Sequence, residues 1–321
     1  MNELNTSLKR WAWLASKVLI AEISGKRPGT VKDRPTEKFH FEWDKVIISN
    51  NSEGYQTDWP IVDVPKDYQE WYKRHAKMSK SAYYAPMNRS YAIKYAREHG
   101  YQYLVQLDDN IISFNIRYVI DDRSYTTLVS TPHIEELPQD MFRYFAKVLD
   151  NTNAGIVGMT LAGASLPSSD FLRERYVYSA FMLKLDVIPD YYQGDFEDDI
   201  EFRLKLRQMQ VPSVMVCTFQ YIKTAQGDNK DLTGNRQAYK DADLKRGEHM
   251  AKIYGDIYSR GWSSRGSGVK RKNGVKKFRH KIKPFKVGVR VSNLPLLKDE
   301  MLKMFAKYAT KRPDQLKFFQ K

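Results

Sequence analysis

Two kinds of apolar pattern alternate along the chain. Short β-branched runs occur at Lys45-Val46-Ile47-Ile48-Ser49, closed by Asn50-Asn51, and at Ile61-Val62-Asp63-Val64, closed by Pro65. Continuous apolar runs bounded by turn residues read as buried strands, here of a mainly parallel sheet. Pro86 opens a helix in which Met87, Tyr91 and Tyr95 share a face, and Gly100 stops it. Tyr103 to Leu107 is the next strand. A helix beginning near Pro138 carries Met141, Phe142, Phe145, Val148 and Leu149 on one stripe. Strands follow at Gly155–Leu161 and Tyr176–Leu183. Phe196, Ile200 and Leu204 mark a helix, and Val211–Ile222 reads as a last long strand. Leu296–Lys321 predicts an amphipathic helix whose Met301, Met304 and Phe305 pack on the core. This alternation implies an α/β sandwich.

At the amino-terminal side, Leu4, Leu8, Trp11, Ala15 and Val18 fall at helical spacing. They predict an amphipathic helix ending near Gly25. Gly25 to Lys38, rich in Gly, Pro and charge, reads as a connecting arm. The boundaries expected are 1–40 for helix and arm, 41–256 for the main domain, and 257–321 for a basic segment with its closing helix.

Composition narrows the function classes. The chain has 321 residues, 42% hydrophobic and 13% aromatic, which supports a real core and argues against wholesale disorder. Its one cysteine, Cys217, cannot form an intrachain disulfide, so a disulfide scaffold or a cysteine-based zinc site is not expected. No run approaches the length that spans a bilayer. Leu8 to Ile23 superficially resembles a signal peptide, but Lys17 and Glu22 interrupt it and no clear cleavage site follows, so a cytoplasmic location is expected. Neither a dinucleotide-binding glycine motif nor a P-loop is present.

The net charge of +15 is unevenly placed. No acid lies between Asp256 and Asp299, and that window holds thirteen cations, so it carries nearly all the excess. A concentrated positive field attracts polyanions. Trp262, Phe278 and Phe285 interleave with Arg265, Lys270, Arg271, Lys272, Lys276, Lys277, Arg279 and Lys281. Cations on phosphates give salt-dependent binding without sequence preference, and aromatics can stack on an exposed base. The plainer reading makes Ser263–Lys277 a flexible surface loop or a lid over a diphosphate.

Candidate chemistry sits at two acidic clusters. Tyr103-Leu104-Val105-Gln106-Leu107-Asp108-Asp109-Asn110 is a buried strand ending in two carboxylates and an amide. The carboxyl ends of strands face the crevice where open α/β sheets bind ligands. Adjacent like charges there are relieved by a divalent cation or a proton. The plainer alternative is a solvated Asp-Asp-Asn turn. About ninety residues later, Asp195-Phe196-Glu197-Asp198-Asp199 opens a helix. The macrodipole alone would favour acids there, by about 0.3–1 kcal/mol. Together the clusters form a two-part pattern: one part can hold a metal and a diphosphate, and the other can supply a general base.

With Val46-Ile47-Ile48-Ser49-Asn50-Asn51, Asn88-Arg89, Leu107-Asp108-Asp109-Asn110 and Phe196-Glu197-Asp198-Asp199, the chain resembles nucleotide-sugar glycosyltransferases of the GT-A fold. More narrowly, and with Thr233-Gly234-Asn235-Arg236 to Tyr254-Gly255, it is similar to the TET-associated glycosyltransferases of bacteriophages, which act on hydroxymethylated pyrimidines in DNA. The resemblance covers about residues 44 to 256. It implies a GT-A-like, Rossmann-like α/β sheet flanked by helices, with a nucleotide-sugar donor (a UDP-sugar as first choice) and Mn²⁺ or Mg²⁺.

The resemblance also implies roles. Asn50, Asn51, Asn88, Arg89 and Asp108 would line the donor. Lys223 and Arg236 would neutralise the leaving diphosphate. Asp108, Asp109 and Asn110 would hold the metal, with His249 or His280 as a further ligand, although a lone His is more often structural. Asn110 departs from the Asp of the family motif, and an amide is the weaker ligand for a hard cation. Asp198 is the first choice of base and Asp199 the second. DNA is the expected acceptor, and the host cytoplasm the location if the chain is phage-encoded. The alternatives are an acceptor on an envelope glycan or lipid carrier, a DNA-binding protein without catalysis, or a metal nuclease. The sugar and the oligomeric state stay open.

Overall fold

A computed structural model describes residues 17–76, 84–119, 125–131, 134–162, 172–193, 198–224, 251–255, 257–263, 277–282 and 287–309. Its centre is a ten-stranded sheet. Strand β1 (Val18–Ser24) lies between β2 (Asp44–Ser49) and β4 (Tyr103–Asp108), parallel to both, and β3 (Ile61–Asp63) lies outside β2, also parallel. Beyond β4 the directions mix. β9 (Ala180–Lys184) is antiparallel to β4 and to β7 (Ile156–Leu161). β10 (Ser213–Lys223) is parallel to β7. β5 (Ile111–Val119) and β6 (Tyr125–Ser130) close that side as antiparallel neighbours, and β8 (Leu172–Glu174) pairs with the first half of β10. The α/β expectation holds, with a mixed rather than mainly parallel sheet. β5 and β6, which the apolar pattern does not predict, carry much of that difference.

One expectation is overturned. Val18–Ser24 is not the end of a helix; it is a central strand, buried at every position. Six apolar or small residues and one Glu satisfy helical spacing and strand burial alike, and periodicity alone cannot separate them. Two neighbouring strands decide the matter by taking the backbone hydrogen bonds on both edges. The sheet therefore begins ahead of the boundary drawn at residue 41. Residues 1–16, with Leu4, Leu8, Trp11 and Ala15, lie outside the described residues.

Helices cover both faces. On one face α1 (Lys66–His75), α2 (Tyr84–Glu98) and α4 (Asp198–Gln208) pack through Tyr68, Tyr72, Tyr91, Ile93, Phe202 and Leu206 in the cluster that holds Leu19, Ala21 and Ile23 of β1. On the other, α3 (Leu137–Asp150) and α5 (Leu294–Ala309) pack through Phe142, Phe145, Met301 and Phe305 in the cluster that holds Val18 and Ile20. The split between odd and even positions of β1 is the period-two alternation of a strand. Gly100 ends α2 at φ 77°, in the left-handed region that a terminating residue needs. The Tyr68/Tyr72 pair after Pro65 was a readable signal for α1. β11 (Tyr258–Ser263) and β12 (Lys277–Ile282) form a separate antiparallel pair within the basic segment.

Phe145 is fully buried between α3 and Phe219 of β10. Phe145→Ala is expected to cost about 3–5 kcal/mol through lost contact and a cavity. A urea-unfolding midpoint that drops with an unchanged slope would check it.

Candidate active site

The parallel half of the sheet sets the site. Ile23 pairs with Asp108, Ser24 with Ser49, and Ser49 with Asp63, so these strands end along one edge. Asp108 is the last residue of β4, and Asp109-Asn110 turn the chain into β5. A 3-10 turn at Pro35–Lys38 clamps that corner. The Thr36 hydroxyl donates to the Asp108 carbonyl at 2.6 Å and accepts from the Ile111 amide at 2.9 Å.

The two carboxylates diverge, and each meets its own cation. The Asp108 oxygens accept from Arg89 Nη2 at 2.5 Å and from Lys223 Nζ at 3.0 Å. Those of Asp109 accept from Arg27 Nη1 at 2.7 Å and from the Ser24 hydroxyl at 2.8 Å. Burial would raise the Asp108 carboxyl, but Lys223, Arg89 and the Ser179 hydroxyl outweigh it and hold the group well below the usual carboxylate range. Asp109 goes the other way. Burial and the adjacent Asp108 push it up to about 6, against Arg27 and Ser24.

Lys223 ends β10 opposite Ile111, where the pairing with β5 shifts register. It also donates to Ser179 Oγ at 2.8 Å. Ser179 sits at φ 58°, a strained setting for a side-chain-bearing residue, and its carbonyl accepts from the Asp108 amide at 2.8 Å. Arg89 is steadied from below. Gln106 donates to its carbonyl at 2.9 Å, and Gln106 Oε1 accepts from Arg89 Nη1 at 3.3 Å and from the Tyr192 hydroxyl at 3.1 Å.

Beside the carboxylates lies a cluster of amides. Asn88 Nδ2 donates to the Ser24 carbonyl at 2.6 Å and to Asn50 Oδ1 at 3.3 Å. A Cβ on Gly25 would lie 2.7 Å from Asn50 Oδ1, so a larger residue there would push the Asn50 amide aside. Asn88 Oδ1 and Asn110 Oδ1 are buried without a hydrogen-bond partner among the described residues, which marks them as acceptors for something else. Asn51 is exposed, and its side chain caps the Glu53 amide at 3.1 Å.

Several participants were not legible as such: Ser24, Arg27, Arg34, Tyr55 and Ser179. The arm at 25–38 is no loose connector. It wraps a fully buried Arg34, which donates to the carbonyls of Arg27 and Gly29 at 2.5 and 3.2 Å, pairs with Glu37, and lies 4.0 Å over the Tyr55 ring. Glu22 of β1 lies below, fully buried, its oxygens without a hydrogen-bond donor among the described residues. Burial first, then Asp109 and Glu37, drive its carboxyl well above the usual range, with Arg34 and Arg27 opposing.

Asp198 begins α4. Phe202, one turn on, stacks on Tyr192 at 4.0 Å, the residue that reaches Gln106 two positions before Asp108. The side chains of Asp198 and Asp199 lie outside the described residues, as do Arg236, His249, Arg265, Lys270, Arg271, Lys272 and Lys276. Lys277, Arg279, His280 and Lys281 occupy β12, known here by backbone only.

A divalent ion, expected from the resemblance, fits the described residues poorly. All four oxygens of Asp108 and Asp109 accept hydrogen bonds, three from cations, and any ion bound to them would adjoin Arg89, Lys223 and Arg27. No group of three or more His, Cys, Asp or Glu converges among the described residues.

A family model described as TET-associated glycosyltransferase matches residues 45–234. The chain belongs to that family. It is therefore a glycosyltransferase, and a nucleotide-sugar donor is consistent with that family. Among solved structures it is similar to A197 from STIV (10% identity, 65% of this chain and 86% of the other, TM-score 0.34). It is also similar to a putative nucleotide-diphospho-sugar transferase from Desulfovibrio desulfuricans G20 (11% identity, 74% and 97%, TM-score 0.35). No curated protein matches. No described helix is long and apolar enough to cross a membrane.

Stability should carry the mark of Glu22. A carboxyl raised on folding contributes stability that is complete below its unfolded value and lost as pH climbs through the folded one. Stability of this glycosyltransferase should therefore fall with rising pH above about 5, and Glu22→Gln should flatten that slope. Unfolding midpoints in urea between about pH 5 and 8 would check it; an unchanged slope counts against the assignment.

Proposed function

We propose that this glycosyltransferase moves a sugar from a nucleoside-diphosphate donor to the hydroxyl of a hydroxymethylated pyrimidine in DNA. The observation that supports it most is the joining, at one edge of the sheet, of Asp108 with Arg89 and Lys223 beside the amides of Asn50 and Asn88. Oriented amides and orphaned carbonyl oxygens suit the base and ribose, and cations suit the diphosphate. Asn51 and Arg236 complete the proposed donor contacts.

In the reaction the bond from the anomeric carbon to the diphosphate oxygen breaks, and its electron pair leaves with the nucleotide. The acceptor oxygen bonds to that carbon and gives its proton to Asp198, or to Asp199 if that carboxylate lies nearer. An ordinary Asp is ionised at neutral pH and can serve. Arg89 and Lys223 stabilise the charge that develops on the leaving group.

DNA as acceptor rests on the family's association with TET and on the cation-rich window from 257 to 298, whose β11 and β12 bring Arg279 level with Gly261 and Lys281 level with Ser259. Arg265, Lys270, Arg271, Lys272, Lys276, Lys277, Arg279 and Lys281 are the proposed phosphate contacts.

Incubation with a panel of sugar nucleotides, UDP-sugars first, and duplex DNA with and without hydroxymethylated pyrimidines, read by mass spectrometry, tests this. One sugar gained per modified base, and none on plain DNA, is expected. Transfer to a glycan and not to DNA would overturn the acceptor assignment. Asp198→Asn should lower kcat by about 10²–10⁴ while donor affinity stays near the wild-type value. Affinity for plain DNA should fall steeply between about 50 and 200 mM salt, and less steeply once the β12 cations are neutralised.

A further inference from the structure

Two carboxylates side by side normally call for an external cation before an anionic ligand can approach. Here the chain has brought the cations itself. Arg89 comes from α2, Lys223 from the end of β10, and Arg27 from the arm after β1, and all three converge on Asp108 and Asp109. Three cations face two carboxylates, so the cluster is net positive as built. A divalent ion coordinated by either carboxylate would sit against Lys223, Arg89 or Arg27, setting like charges side by side.

Resting on the donor assignment above, we infer that the diphosphate is held directly by Lys223, Arg27 and Arg89, in place of a divalent metal. Asp108 and Asp109 then act as positioning residues. Asp108 aims Lys223 and Arg89, and Asp109 aims Arg27. The side chains of Lys223 and Arg27 are each 19% exposed, open enough at this edge to meet a phosphate. Lys223 has three N–H bonds. Among the described residues, two go to Asp108 and Ser179, which leaves one for a phosphate oxygen. Among the same residues Arg27 gives one guanidinium donor to Asp109, which leaves the rest of its fork, a geometry matched to phosphate. Ser179, Gln106 and Thr36 fix the surroundings, so the donors need little reorganisation when the ligand arrives.

Calorimetric titration of the full chain with a panel of nucleoside diphosphates, UDP first, in EDTA and separately in Mn²⁺, tests this. Binding in EDTA within about threefold of that in Mn²⁺ is expected. Lys223→Met should weaken it by about tenfold or more in both conditions, and Lys223→Arg should restore most of it. Arg27→Gln is the independent variant should Lys223→Met misfold, with the same expected loss. Binding seen only with Mn²⁺ would overturn the inference and leave the donor assignment standing. Wild-type affinity in both Lys223→Met and Arg27→Gln would overturn it too. Absence of binding to every nucleoside diphosphate with and without Mn²⁺ would overturn both the inference and the donor assignment.

Discussion

Two negative charges on neighbouring residues, held at the end of a buried strand, must be neutralised from somewhere. At Asp108 and Asp109 the neutralising groups come from three segments that are distant along the chain, and Arg89 and Lys223 are each anchored by a further contact, to Gln106 and Ser179. The corner is therefore a junction. β4 brings the acids, α2 brings Arg89, β10 brings Lys223, and the arm after β1 brings Arg27. Like charges forced together drive one of the pair toward its neutral form unless partners are supplied. Here Asp108 is well supplied and Asp109 less so, and their carboxyls shift in opposite directions.

Beneath that junction lies a layer of buried polar groups, unusual in the interior of a sheet covered on both faces. Glu22 and Gln106 occupy β1 and β4 at positions with no solvent exposure, and Arg34 is buried beside them. Buried polar groups cost free energy unless they are satisfied, and Gln106 and Arg34 each have a structural task. Gln106 ties Arg89 and Tyr192 together. Arg34 gathers the carbonyls of the arm and so fixes the 3-10 turn that clamps the Asp108-Asp109 corner. The stability given up by burying Glu22 and straining Ser179 is spent where a rigid arrangement of charge is useful to a transferase.

The acidic corner was readable because its signal is local: an apolar run followed at once by Asp-Asp-Asn. The amide cluster was readable in part. Asn50 follows a strand and Asn88 falls early in a helix, so each residue could be named, but their meeting at Ser24 and Gly25 could not. Arg27 and Arg34 looked like charges in a solvated arm. Their local context is Gly, Pro and Lys, and nothing within a few residues reveals that Tyr55 and Asp109 await them.

By itself the sequence determined the strands at Lys45, Ile61 and Tyr103, the helices at Pro86 and Pro138, the packing face of the closing helix, the acidic strand end, and the concentration of positive charge in one window. These follow from composition and short-range periodicity, which neighbouring residues carry. Tertiary structure decided that Val18–Ser24 is a central strand, that the sheet is mixed, and that the carboxylates are met by the protein's own cations. Those outcomes depend on which distant segments supply hydrogen bonds and charge, and pairing across the fold is not written in the spacing of any single stretch.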